Sequence, residues 1–182
     1  MSSVSQTPAR QPMSFSLRFG ITMAIVVAIV GLSMGGAWKG VAALALSARP
    51  HAPDLALFMS LSPAIKVHLV AALAALVLGG VLMTARKGRT FHRIAGWVWV
   101  ALALITAGAT LFITGLNRGS WSLLHLLTGW VLIILPLAVM WAKRREVQRH
   151  RKAMTGLFYG GFAINIFIAF IPGRTMWMMF LG

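Results

Sequence analysis

The sequence predicts an all-α integral membrane protein of about five transmembrane helices: an antiparallel four-helix core bundle plus an N-terminal helix. Three observations predict it. The 182 residues are 59% hydrophobic, with a mean hydropathy of +0.84, more apolar surface than a soluble fold of this size can hide. Several apolar runs reach the roughly 20 residues that carry a helix across a bilayer. Lys and Arg gather at the ends of those runs, where such side chains snorkel to headgroups and set topology.

The elements follow in order. Residues 1–18 form a polar and then basic tail. The first span, about 19–38 (FGITMAIVVAIVGLSMGGAW), is longer than a signal-peptide core and is followed by no small-residue cleavage site, so it is expected to remain as a helix. Gly31 and Gly35, and Gly36 and Gly40, lie four apart and are expected to mark a packing face. Residues 39–62 carry Pro50 and Pro53 and are expected to form an outer loop with short interfacial helical pieces. The second span, about 63–85, opens on Pro63, which suits a first helical turn. The third covers about 90–114. The fourth covers about 120–142, with Ser120 as its N-cap. The fifth covers about 147–171 and is stopped by Pro172 and Gly173. The ending TMWMMFLG is apolar but short and suits the interface. Tight turns at 86–89 and 115–119 make spans two to five an up-down bundle, so residues 19–182 read as one transmembrane domain.

Composition also excludes functions. With no cysteine, disulfides and thiolate metal sites are ruled out. Asp54 and Glu146 are the only acidic residues, so a carboxylate proton relay has no raw material. The net charge of +15 does not indicate nucleic acid, because the cations flank apolar runs and serve topology. Twelve of the 17 Lys and Arg residues fall on the side of the N-terminus and of the 86–93 and 143–152 segments. That bias places the N-terminus in the cytoplasm and the C-terminus outside.

Four of the five histidines each sit near the start of a separate span: His68, His92, His125 and His150. Because adjacent helices run in opposite directions, His68 and His125 share the outer level and His92 and His150 the cytoplasmic level. Two imidazoles facing each other across a bundle suit a haem iron, and bis-imidazole ligation closes both axial positions, which leaves electron transfer as the natural activity. Haem needs small residues where it enters. Eleven residues, three helical turns or about 16 Å, lead from the histidines to Gly79, Ala103, Pro136 and Gly161. Gly96 and Gly129 lie four residues after a histidine. Arg93 and Arg151, with Lys152, are expected to pair with propionates at the cytoplasmic side, as a guanidinium fork does, although topology alone also accounts for cations there. Lys66 and Arg118 are nearest to the outer pair. The same histidines also read as hydrogen-bonded packing residues, as ligands of another metal or as a proton relay. His51 reads as a solvated loop residue.

The stretches KGRTFHRIAGWVWV, LLHLLTGWVLI and HRKAMTGLFYGG, with the ending IPGRTMW, resemble a family of small bacterial membrane proteins, domain of unknown function 2306, over about residues 63–178. That resemblance implies a multi-helix fold in the bacterial inner membrane and no particular activity. The histidine layout resembles the ascorbate-reducible di-haem transmembrane cytochromes b, in which successive core helices each give one histidine. It implies that His68 pairs with His125 and His92 with His150, around two b haems. The expectation is therefore a di-haem membrane oxidoreductase of cytochrome b type. It would pass electrons between a quinol or other donor and an acceptor across the bilayer. Candidate partners besides lipid are a quinone, a larger membrane complex and a second copy of the chain. The alternative is a non-catalytic accessory subunit of a respiratory or photosynthetic complex, without its own cofactor.

Overall fold

A computed structural model describes residues 38–114 and 125–182, with scattered positions between 17 and 31. Those scattered positions are helical. The rest of the first span, the 115–119 turn, Arg118 and the Ser120 cap lie outside the described residues. Among the described residues from 38 onward, seven helices follow in order: α1 (Trp38–Leu46), α2 (Leu55–Ser60), α3 (Pro63–Thr84), α4 (Thr90–Thr110), α5 (His125–Lys143), α6 (Val147–Ala169) and α7 (Thr175–Phe180). Four of them, α3 to α6, are long and apolar enough to cross a membrane. No more than 28% of any of these spans is buried within the chain. Val77, Ile94, Ile133 and Phe167 are among the large side chains left facing outward. In water that surface would be costly; in lipid it is solvated.

Local chemistry sets most helix ends. Ser62 caps α3 by accepting from the Ile65 N–H at 3.4 Å, and Pro63 takes the first turn, where its missing N–H costs nothing. Asp54 caps α2 through the Leu57 N–H at 2.9 Å. Gly88, at φ +81, turns the chain from α3 into α4, a conformation that glycine adopts without a Cβ clash. The third span ends at Thr110, four residues short of the sequence expectation. There the chain tightens into three successive three-residue bonds: Leu111 to Gly108, Phe112 to Ala109 and Ile113 to Thr110. The last span ends at Ala169, and Gly173, at φ +87, reverses the chain into α7.

Small residues bring the helices together. Ala71, Ala75 and Gly79 form a row four residues apart on α3, and Ala95, Trp99, Ala103 and Ala107 form the facing row on α4. Rows of this kind let backbones approach closely without a water-driven force between helices. Trp99 fills the centre. Its Nε1–H donates to the Ala75 carbonyl at 2.8 Å, and its ring meets Phe162 with centroids 5.3 Å apart. Leu135, Leu157 and Phe158 close the core around it. Of the glycines expected to pack in the first span, Gly40 has nothing within 4 Å of a Cβ position.

One element has no sequence expectation behind it. Residues Leu157–Ala163 of α6 form a π-helical turn, a geometry that inserts an extra residue and re-aims the side chains after it. Gly160 and Gly161 lie there against Trp130 and Val131 of α5, where an added Cβ would come within 3.3 Å of either. The turn sends Phe158 and Phe162 into the core. Outside the bundle, the 49–54 segment lies along the end of α7. The N–H groups of Arg49, His51 and Asp54 donate to the carbonyls of Leu181, Phe180 and Met179, each at 3.0 Å.

A Cβ at Gly79 would lie 2.5 Å from Phe158 and 2.7 Å from Trp99 Nε1. Gly79→Ala is therefore expected to destabilise the bundle by about 1–3 kcal/mol. The check is the thermal unfolding midpoint in detergent, which should fall. An unchanged midpoint would mean that α3 and α4 are not in close contact there.

Candidate functional site

The four span-initiating histidines occupy two ends of the bundle, two at each. At one end, His68 of α3 and His125 of α5 both reach the last turn of α4. His68 Nδ1 lies 3.1 Å from the Thr106 carbonyl and 2.9 Å from Thr110 Oγ1, and that hydroxyl itself donates to Thr106 O at 2.8 Å. His125 Nε2 lies 3.2 Å from the Thr110 carbonyl. A carbonyl can only accept, so the proton sits on Nδ1 of His68 and on Nε2 of His125. Each of these carbonyls already accepts a bond from its own helix, Thr106 O from the Thr110 hydroxyl and Thr110 O from the Ile113 N–H, and the rings use the remaining acceptor capacity of the carbonyl oxygens.

At the other end, His150 of α6 donates from Nδ1 to the Ala138 carbonyl of α5 at 2.9 Å. His92 of α4 lies within electrostatic range of both His150 and Lys87. Its Nδ1 is buried with no hydrogen-bond partner among the described residues. Such an orphan calls for an explanation, because an unpaired buried polar atom costs about 1–3 kcal/mol. Arg93 and Arg151 are both exposed near this end. Close by, Glu146 and Arg149 pair at 2.7 Å, and Lys143 Nζ sits 5.9 Å above the Trp97 ring.

A cavity of about 540 Å³ opens at the His68 and His125 end, within the range of small-molecule sites. Its polar lining includes His68, Thr106, Thr110, His125, Asn165 and Arg174, with further hydroxyls from Ser62, Thr114, Thr128 and Thr175. Asn165 is held by a bond from Nδ2 to the Gly161 carbonyl at 2.6 Å. The remaining wall is apolar and includes Leu69, Leu76 and Ile166.

The eleven-residue pattern meets this geometry unevenly. Gly161 lines the cavity. The space beside Gly79 is taken by Trp99 and Phe158, and Ala103 is sealed in the core. Pro136 is exposed. The buried face of α5 is Thr128, Val131, Leu135 and Ala138, and Pro136 lies on its flank, outside the bundle. Gly96 and Gly129 meet no atom within 4 Å of a Cβ position.

Lys66 donates to the Met59 carbonyl at 2.6 Å, which commits it to the loop. Among the described residues the cation that lines the cavity is instead Arg174, one of the five Lys and Arg residues that the charge count leaves on the side opposite the N-terminus. Its burial pushes the guanidinium below the usual arginine range. Thr106 and Thr110 were also missed; their one signal is a spacing of four on the helix that carries His92. His51 is exposed, with its ring nitrogens 2.7 Å from Ala52 O and 3.1 Å from Gly182 O.

Four apolar spans around a tightly packed core, with ring nitrogens bonded across the helices, define an all-α, multi-pass integral membrane protein. The chain belongs to the predicted membrane protein family DUF2306, whose model matches residues 65–181, well over half of its length. No curated protein and no solved structure matches it.

The carbonyl partners fix two tautomers. In ¹⁵N-histidine spectra of the cofactor-free protein, His68 and His150 are each expected to carry a proton on Nδ1. Resonances showing either ring protonated on Nε2 alone would contradict the hydrogen bonds described.

Proposed function

We propose that the protein is a b-type haem electron carrier of the membrane, with His68 and His125 as one axial pair and His92 and His150 as the other. One observation carries this reading. His68 and His150, one at each end of the bundle, both donate from Nδ1 to a backbone carbonyl of the neighbouring helix. Neither Nε2 makes a hydrogen bond among the described residues. Metal-ligating histidines use this arrangement: the second-shell bond fixes the tautomer, orients the ring and leaves a lone pair for the metal. The orphaned Nδ1 of His92 and the cavity beside His68 and His125 support the same assignment. His125 departs from the pattern, because an axial role for its Nε2 requires release of the Thr110 carbonyl.

When bound by two imidazoles, haem supplies one-electron transfer with no open position for oxygen chemistry. The chain's own groups do the rest. His68 and His150 hold their rings at fixed angles, and the apolar walls exclude water. Arg93 and Arg151, both exposed at the second end, would pair with propionates there. The Lys and Arg bias supports a cytoplasmic-membrane protein with the N-terminus inside. A quinol is the donor that a lipid-embedded bundle meets most directly.

The test is an absorption spectrum of detergent-purified protein from haem-replete cells, before and after dithionite, with a haem count per chain. The expected result is a sharp reduced α-band and close to two haems per chain. His68→Ala and His92→Ala should each remove one haem and spare the other. A colourless wild-type protein that co-purifies with a larger membrane complex would overturn this reading in favour of an accessory subunit.

A further inference from the structure

The cavity at the His68 and His125 end contains a charge with no counterpart among the described residues. Arg174 lines it, half-buried, and no carboxylate or side-chain acceptor among the described residues meets its guanidinium. The chain has only two acidic residues. Glu146 is paired with Arg149, and Asp54 caps α2. The position is not incidental, since Gly173 at φ +87 reverses the chain after α6 and brings the next residue back to the cavity. Of the other polar lining groups, His68 is committed to Thr106 and Thr110, His125 to Thr110 and Asn165 to Gly161, and the rest are uncharged hydroxyls. Among the described residues Arg174 is thus the one cation lining a cavity whose walls are otherwise mostly apolar. A partly desolvated guanidinium is most stable facing an acid that it can hold through a bidentate pair.

We infer that Arg174 is the anion anchor of this cavity, and that the cavity takes an apolar-bodied carboxylic acid with its carboxylate on Arg174. The inference deepens the haem reading and rests on it for one source of that acid, a haem propionate. A fatty acid carries the same chemistry. A surface arginine that merely reaches for headgroups would not distinguish an acid from its ester.

The experiment titrates the full-length, cofactor-free protein in detergent with four probes: haemin, haemin dimethyl ester, spin-labelled stearate and its methyl ester. His92→Ala is used as the background for the haemin titrations, so that only the pair at this cavity is read. The acid form of the accepted probe is expected to bind at least about tenfold more tightly than its ester, the worth of a hydrogen bond to a charged group. Arg174→Gln should abolish that preference, and Arg174→Lys should keep part of it. The comparison of acid with ester in the Arg174 protein stands even if neither variant folds. Haemin uptake with this preference supports both readings. Arg174-dependent binding of stearate without haemin uptake supports the anchor and removes the haem. Haemin binding with no preference over its ester overturns the anchor and leaves the haem reading standing. Uptake of none of the four probes overturns both.

Discussion

Inside a bilayer no water relieves a buried ring nitrogen, and that constraint organises this bundle. Four ring N–H groups reach across to backbone carbonyls of a neighbouring helix. Trp99 of α4 bonds to Ala75 of α3, His68 of α3 to Thr106 of α4, His125 of α5 to Thr110 of α4, and His150 of α6 to Ala138 of α5. A carbonyl that already accepts a bond within its own helix still has a second lone pair to offer. Each helix of the core is thereby tied to its neighbour in chain order. Individually such bonds contribute only about 0.6 kcal/mol in a membrane. Their effect is on alignment, since a helix that slid or rotated would leave a ring nitrogen unpaired in hydrocarbon.

The same constraint separates the middle of the bundle from its ends. In the middle, the Ala71, Ala75 and Gly79 row admits Trp99 and Phe158 so closely that no room remains beside Gly79. The π turn of α6 adds Phe162 to that plug. At one end, the last turn of α4 tightens at Thr110 and leaves a cavity bordered by two imidazoles and a guanidinium. Any bound molecule would therefore sit toward an end of the bundle, away from the packed centre.

What the sequence made legible was whatever has a local signature. Pro63 announces the start of α3, and the spans at 63–85 and 90–114 follow from the length of apolar runs. Levelling the histidines needed only the alternating direction of successive helices, which is why His68 and His125 could be placed at one end. Their partners were not legible, because a backbone carbonyl has no residue type. The eleven-residue rule failed at Pro136 for a related reason. His125 sits on the flank of α5, where an end-of-bundle ring still reaches α4, whereas the same flank lower down faces lipid. Arg174 was hidden by the Gly173 turn, which sends a residue counted as outer-side charge back to the cavity. The π turn has no period that a pattern search would register.

The central claim is that the helix-start histidines work as two separate pairs, one at each end of a packed core. An iron anomalous-difference map from crystals of the protein purified from haem-replete cells tests this most directly. The account predicts two peaks per chain, one between His68 and His125 and the other between His92 and His150, with Trp99 between them. A map with no iron at either position, or with iron held by any other residues, would contradict it.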